Sequence, residues 1–305
     1  MSRAVQEEAN FVVTLEHRRF TEFCDACRRY GYIGLCYGSP GVGKTLSAKH
    51  YTRWRNFKNV VSWRQLSDTA LKSFEGHSTL FYCPSVTNTP RQIVSEISVA
   101  RDNLRRLAIE PLRRDAEREL EEIRTAERVG AYGWQSRVAG ADSVYGRVAK
   151  AYAAREKAIL DPTKLIVVDE ADRLQMASLE QLRAIFDESD LGLILIGMPG
   201  LEKRLARYPQ FYSRIGFVHE FRPLSQSEMR QLLLQRWMPP DLALLKVAKI
   251  DPDAIATIIR VTNGNFRLLH RLLTQIERIL EINSRIVLTK GVVEAARETL
   301  VIGQV

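Results

Sequence analysis

Eight consecutive residues, Gly38 to Thr45, have the types and spacing of a phosphate-binding loop. The stretch reads GSPGVGKT and fits the pattern G-x-x-x-x-G-K-[ST] at every position. Glycines let the backbone turn tightly so that successive N–H groups point at phosphate oxygens, the lysine places a cation on the β- and γ-phosphates, and the threonine hydroxyl ligates Mg²⁺. The pattern therefore predicts contacts to a nucleoside triphosphate from Ser39, Pro40, Gly41, Val42, Gly43, Lys44, Thr45 and Leu46.

The residues on either side of this loop have the character of a strand and a helix. Residues 32–37 form a short apolar run, which is typical of a buried parallel strand. Residues 46–52 contain neither Pro nor Gly, and a helix there would aim the positive end of its dipole at the phosphates. Strand, loop and helix are the order that a phosphate site needs, which favours this interpretation over a chance glycine turn.

An acidic pair later in the chain is placed where it could complete a hydrolytic site. The apolar run 165–168 leads directly into Asp169 and Glu170, as expected at the carboxyl end of a buried parallel strand. Asp169 would hold Mg²⁺ through water, together with Thr45, and Glu170 would orient and polarise the attacking water. These residues and Lys44 predict ATP hydrolysis with Mg²⁺, and the alternative is a pair of ordinary surface acids.

The remaining pattern predicts an α/β fold with a helical tail. Apolar runs at 78–83, 193–197 and 217–221 predict three more strands, and helix-favouring segments lie between them. We expect a parallel sheet flanked by helices, followed by a small C-terminal α-helical lid domain. The predicted divisions are an N-terminal helical segment at 1–31, an α/β core at 32–222 with a charged helical insertion at about 101–160, and the lid at 223–305.

The composition of the chain indicates its class of partner and its cellular compartment. The formal net charge of +9 favours a polyanionic partner, with nucleic acid as the first expectation. The longest apolar runs are too short to cross a bilayer and the N-terminus lacks a secretory signal, so we expect a cytoplasmic protein with no membrane partner. Cys24 and Cys27 form one C-x-x-C pair, which is weak support for zinc, and core thiols are the favoured interpretation.

The loop at 38–45 and the Asp169-Glu170 pair together resemble the AAA+ ATPase family, and the resemblance covers roughly residues 12–300. It implies that Arg214, in the stretch FYSRI, is an arginine finger that acts on the neighbouring subunit's nucleotide, with Arg204 and Arg207 as rival candidates.

Two further positions gain a meaning from that resemblance. The stretch GNFR at 264–267 looks like a sensor-2 motif, which implies that Arg267 contacts the phosphates from the lid. Met198 stands where the family commonly has a polar sensor-1 residue, and a thioether is a poor hydrogen-bonding group for water. This departure implies slow or differently sensed hydrolysis.

Within AAA+, the chain most resembles transposition-regulator ATPases of the MuB, TnsC and TniB type. The stretches that carry this are IGLCY leading into the loop, VDEADRL at 168–174 and LIGMPGL at 195–201. The resemblance implies a homo-oligomer, ring or helical filament, that assembles with ATP on duplex DNA and serves a transposase and target-selection proteins. A protein-remodelling ATPase of secretion or chaperone type and a replication helicase loader are the alternatives.

In such assemblies the residues that face DNA follow the second strand and its helix. The candidates in this chain are Thr87, Asn88, Arg91, Arg101, Arg105 and Arg106. The alternative for the arginines is a solvated helix face paired with glutamates at i, i+4 spacing.

Overall fold

The computed structural model describes residues 11–54, 66–128, 143–235, 242, 245, 248–284 and 286–300. Seven strands lie within these ranges: β1 Ile33–Tyr37, β2 Thr79–Tyr82, β3 Leu165–Val168, β4 Gly192–Gly197, β5 Ile215–Glu220, β6 Lys249–Ile250 and β7 Val287–Leu288. The described helices are α1 Leu15–Tyr30, α2 Lys44–Tyr51, α3 Asp68–Lys72, α4 Pro90–Arg128, α5 Val144–Ala158, α6 Met176–Asp187, α7 Leu201–Leu205, α8 Pro209–Tyr212, α9 Gln226–Leu234, α10 Pro252–Thr262, α11 Phe266–Ile282 and α12 Lys290–Glu298.

Five strands form one parallel sheet in the order β2-β3-β4-β1-β5. Every residue of β3 and β4 is buried, which explains their uninterrupted apolar sequences. Because the strands are parallel, the segments that follow β1, β3 and β4 leave the sheet at one edge. The loop at 38–45, the Asp169-Glu170 pair and the Met198 turn therefore meet there, as the predicted α/β fold requires.

The helix α4 is a single element of 39 residues that runs through the predicted start of an insertion at 101. Its apolar side chains Ile93, Ile97, Leu104 and Leu107 are buried in the main core with residues of β2 and β3. A shift to charged composition therefore marks the solvent side of a core helix, since the apolar stripe continues past 101. Residues 129–142, within the predicted insertion, lie outside the described residues.

The C-terminal helices have their own hydrophobic core, built from α9 to α12. Ser225 and Glu228 form a capping box that starts α9, with both the side-chain and the backbone hydrogen bonds in place. Gly264 has φ +77°, and a Cβ there would lie 2.1 Å from the carbonyl oxygen of Leu224. The turn into α11 therefore needs glycine both for its conformation and for the close backbone approach.

The N-terminal helix α1 packs beneath the sheet. Thr14 caps it by accepting a hydrogen bond from the His17 N–H. Cys24, Cys27 and Cys36 are free thiols in one buried apolar cluster, and burial raises the pKa of Cys27 to about 12. Such thiols stay protonated and serve as small apolar side chains. In the part of the chain with described structure, no helix is both long and apolar enough to span a membrane.

Candidate functional site

The loop between β1 and α2 has the backbone of a phosphate cradle. Gly41 and Gly43 have φ values of +83° and +114°, which side-chain-bearing residues rarely adopt. The Lys44 ammonium donates to the backbone carbonyls of Gly38 and Ser39, the latter at 2.8 Å. Lys44 is only 9% exposed, and burial lowers its pKa while the nearby carboxylate of Asp169 opposes that shift. The sequence thus folds as predicted around this motif.

The metal-ligand candidates Thr45 and Asp169 come together at the first turn of α2. Asp169 is 3% exposed, and its burial raises the pKa of the carboxyl group, whereas a hydrogen bond with the Thr45 side chain lowers it. Its Oδ1 also accepts from the Glu170 N–H at 2.9 Å. A hydroxyl and a carboxylate beside a phosphate loop are the hard oxygen donors that Mg²⁺ uses with nucleotides, so the residues present fit that ion.

Glu170 has an unusual backbone and a side-chain partner that the sequence did not reveal. Its φ is +52°, in the left-handed region that side-chain-bearing residues adopt rarely. Its carboxylate forms an ion pair with Arg173, three residues later. Arg173 in turn donates to the Pro84 carbonyl at 3.4 Å, and its own carbonyl accepts from the Asn88 amide at 3.1 Å. Glu170 is therefore connected through Arg173 to the loop that follows β2.

The sensor-2 stretch predicted at 264–267 lies directly on the phosphate loop. Asn265 donates from Nδ2 to the Pro40 carbonyl at 2.8 Å, and the Arg267 N–H donates to the Gly41 carbonyl at 3.1 Å. A Cβ on Gly41 would lie 2.5 Å from Asn265 Oδ1. The Arg267 side chain is exposed at this junction and is close enough to lower the pKa of Lys44. The first turn of α11 and the loop therefore form one surface.

The arginine-finger candidates differ in their surroundings. Arg214 forms an ion pair with Asp187 at the end of α6. Asp187 also binds Arg183 at 2.6 Å, so the partly exposed Arg214 guanidinium is held by an acid that the sequence did not single out. Arg204 donates to the backbone carbonyls of Asp172 and Leu174, which gives it a role inside the fold.

Arg207, the third finger candidate, is exposed. The sensor-1 position has an acid beside it, because the Met198 N–H donates to Asp172 Oδ2 at 2.8 Å while the Met198 side chain is 40% exposed. A Cβ on Gly197 would lie 2.7 Å from the same carboxylate. Asp172 thus fixes the turn after β4 through the backbone, a contact that only the fold reveals.

The DNA-contact candidates are divided by the structure. Asn88 is 5% exposed and donates to the Ser85 and Arg173 carbonyls, each at 3.1 Å, so its side chain is turned into the fold and away from any surface that DNA could contact. A polar residue in a turn can equally be a buried hydrogen-bonding group, and sequence alone does not separate the two. Thr87, Arg91 and Arg106 are exposed, as a contact residue must be.

Arg101 and Arg105 have partners inside the fold. Arg101 forms an ion pair with Asp161 and lies 3.4 Å from Ser189 Oγ. Arg105 donates to the carbonyls of Ile159 and Glu156, at 2.9 and 3.3 Å. Both arginines therefore bind the segment that links α5 to β3, near the sheet edge opposite the phosphate loop. Neither Arg101 nor Arg105 is paired with a glutamate at i, i+4 spacing, which was the alternative interpretation.

Comparison with known proteins agrees with this geometry. Residues 27–205 match the family of AAA domains. The chain is 42% identical over 299 residues to a Staphylococcus aureus protein described as "Potential ATP-binding protein", and the match covers 96% of this chain and 97% of that one.

Solved structures share the fold. The Thermotoga maritima RuvB Holliday junction branch migration motor is 15% identical with a TM-score of 0.52, over 96% of this chain and 71% of that one. Aeropyrum pernix ORC1 in complex with DNA is 20% identical with a TM-score of 0.52, over 94% of this chain and 65% of that one. At these identities the likeness concerns the fold alone.

Proposed function

The chain belongs to the AAA domain family, and from that premise we propose that it is a Mg²⁺-dependent ATPase whose subunits assemble on duplex DNA. The observation that carries the proposal is the meeting of three elements at one sheet edge. The glycine-rich loop, the Thr45–Asp169 pair and the first turn of α11 surround the same space.

Each residue has a separate task in the proposed hydrolysis. Loop N–H groups and the Lys44 ammonium bind the β- and γ-phosphates, and Arg267 approaches them from the lid. Thr45 and Asp169 would hold Mg²⁺, and the ion would supply positive charge near the phosphate oxygens. Glu170 orients the attacking water and takes up its proton, because phosphoryl transfer depends mainly on positioning and electrostatics.

Assembly follows from a nucleotide site that one subunit leaves incomplete. Arg214 lies at the surface and is proposed to reach the γ-phosphate bound by a neighbouring copy. ATP would then link two subunits, and binding that occurs only in the assembled state shifts the equilibrium toward assembly. Whether the assembly closes as a ring or continues as a filament depends on the rotation between neighbours.

Three observations support DNA as the partner. The chain has a net charge of +9, which favours a polyanion. The fold is shared with a branch migration motor and with an ORC1 protein described in complex with DNA. The VDEADRL and LIGMPGL stretches add the resemblance to transposition regulators. On that resemblance we propose that the DNA-bound oligomer recruits a transposase in the cytoplasm.

The experiment is salt-titrated binding to a random-sequence duplex, with ATP and without nucleotide, for the wild type and Lys44→Ala. We expect the wild type to bind only with ATP and to lose affinity steeply as salt rises, because phosphate contacts release counterions. Lys44→Ala should lose ATP binding, DNA binding and assembly together, and Lys203→Ala, an exposed lysine of α7, serves as the control. Failure of the wild-type protein to bind the duplex at low salt in the presence of ATP would refute the DNA function.

A further inference from the structure

Helix α5 carries an exposed row of cations that the proposed nucleotide site does not use. Its 15 residues contain four cations and one acid, Glu156, a local excess of three positive charges. The exposed cations are Arg147, Lys150, Arg155 and Lys157. Among the ion pairs between described residues, none involves these four side chains, whereas many of the arginines of α4 are paired.

Three of these cations lie on the side of α5 that faces away from α4. Successive residues of an α-helix are rotated by about 100°, so Arg147, Lys150 and Lys157 fall within about 80° of one another. Val148, which is buried, and Tyr152, which is half-buried, lie on roughly the opposite side. Burial raises the pKa of Tyr152, Glu110 and Glu117 of α4 raise it further, and Arg113 of α4 lowers it. Tyr152 therefore lies near α4. The cation row therefore points outward.

The position of α5 is fixed by two of the arginines that were predicted to contact DNA. Arg105 binds the Glu156 and Ile159 carbonyls at the carboxyl end of the helix, where a cation is also favoured by the helix dipole. Arg101 binds Asp161, just beyond that end. These contacts tie a surface helix to the core helix α4, so its cations have a defined location.

We propose that this face of α5, defined by Arg147, Lys150 and Lys157, binds the phosphate backbone of duplex DNA. Arg147 and Lys157 are ten residues apart, which is about 15 Å along the helix axis. That length matches about four phosphates of one strand, spaced about 3.4 Å along the duplex axis. A small side chain, Ala154, stands among the cations on this face and allows the helix to approach a rigid polyanion.

The proposal rests on the proposed DNA function and replaces part of its predicted contact set. Arg101 and Arg105 become positioning residues, and the contacts come from α5 instead. Phosphate contacts of this kind are independent of base sequence and strongly dependent on salt.

The test measures how log affinity for a labelled random-sequence duplex varies with log salt concentration, at saturating ATP. The variant Arg147→Gln/Lys150→Gln/Lys157→Gln should lower the magnitude of that slope by about 2.7, or about 0.9 per lost phosphate contact, and weaken binding at least about ten-fold at 0.1 M salt. A control with the same loss of charge removes exposed cations elsewhere, at Arg18, Lys72 and Lys249. Its slope should stay near that of the wild type, and both variants should bind ATP normally.

A second pair of variants keeps every cation. Ala154→Glu places an acid within the row, whereas Ala149→Glu places one on the same helix about 110° from the centre of the row. Both alanines are exposed, so both variants should fold. We expect Ala154→Glu to weaken DNA binding and Ala149→Glu to have a much smaller effect.

The outcomes separate the two levels of the proposal. Wild-type protein that fails to bind DNA with ATP would overturn the proposed function itself. Wild-type binding that survives in the triple glutamine variant, with an unchanged salt slope, would overturn the role of α5 while leaving the DNA function intact. Equal losses in Ala154→Glu and Ala149→Glu would likewise overturn the assignment to this face.

Discussion

Replacing Arg173 with alanine tests whether its ion pair holds Glu170 away from the water that it is proposed to orient. The Glu170 backbone is in the left-handed region, and its carboxylate is paired with Arg173 of the same chain. While the pair is formed, the Glu170 oxygen that binds the guanidinium is less available to accept a proton from water. Arg173→Ala should therefore raise the rate of hydrolysis by removing a competing interaction.

The size of the effect follows from the exposure of the pair. The Arg173 and Glu170 side chains are 39% and 43% exposed, so water and salt screen their attraction. Exposed ion pairs of this kind contribute about 0.2 to 1 kcal/mol. Removing that stabilisation changes the population of free Glu170, and hence kcat, by about 1.4- to 5-fold. The affinity for ATP should not change, because neither side chain is proposed to bind phosphate.

Steady-state phosphate release, with kcat and KM determined separately, measures the effect. Arg173→Lys keeps the charge and should remain near the wild-type rate. In a Glu170→Gln background, Arg173→Ala should have no further effect, because the carboxylate that it frees is gone. A fall in kcat for Arg173→Ala would refute the reasoning and would mean that the pair holds Glu170 in its working position.

Three other predictions concern the interface, the lid and pH. Arg214→Ala should reduce hydrolysis by orders of magnitude, and mixing it with Lys44→Ala should restore part of the rate, since each subunit type supplies what the other lacks; absence of rescue would contradict action between subunits. Gly264→Ala should lower the free energy of unfolding by more than about 1 kcal/mol, measured by urea denaturation, because φ is +77° and a Cβ would meet Leu224. Burial lowers the pKa of His17 to about 4. Between about pH 6.5 and 4 the unfolded state therefore binds a proton that the folded state does not, and the free energy of unfolding should decrease as the pH falls, by up to about 1.4 kcal/mol per pH unit. His17→Asn should flatten that dependence.

Local pattern was sufficient for the elements that carry the chemistry. The strand at 165–168 coincides with the apolar run that precedes Asp169 in the sequence, because an apolar run between polar neighbours leaves little choice of limits. The glycine-lysine-threonine spacing likewise determined which strand would precede the phosphate loop. Because the strands are parallel, their carboxyl ends lie on the same side of the sheet, so Asp169 was expected near that loop.

Long-range partners were beyond such reasoning. Arg101 and Asp161 are 60 residues apart, and nothing in either neighbourhood marks them as a pair. The burial of Asn88 depends on a carbonyl of Arg173, which lies 85 residues later. Charge composition also placed the start of the predicted insertion at 101, which lies inside α4, because one side of this helix is charged and faces solvent while its other side remains in the core. Contacts of this kind depend on how the helices pack against the sheet. The spacing of apolar residues shows which face of one helix is buried, but it does not show which residues of another element lie against that helix.

In the proposed function, the contact between the lid and the loop would let nucleotide charge control the shape of the protein. Asn265 and the Arg267 backbone hold α11 on the Pro40 and Gly41 carbonyls, so two cationic side chains, Arg267 and Lys44, are brought near each other. Like charges repel, and the lowered pKa of Lys44, due first to burial, has a contribution from Arg267. A polyphosphate bound between them, as proposed, would be attracted by both cations and would offset that repulsion. The stabilisation increases with the number of phosphate charges, so a triphosphate should close the lid on the loop more firmly than a diphosphate, and loss of the γ-phosphate should loosen it.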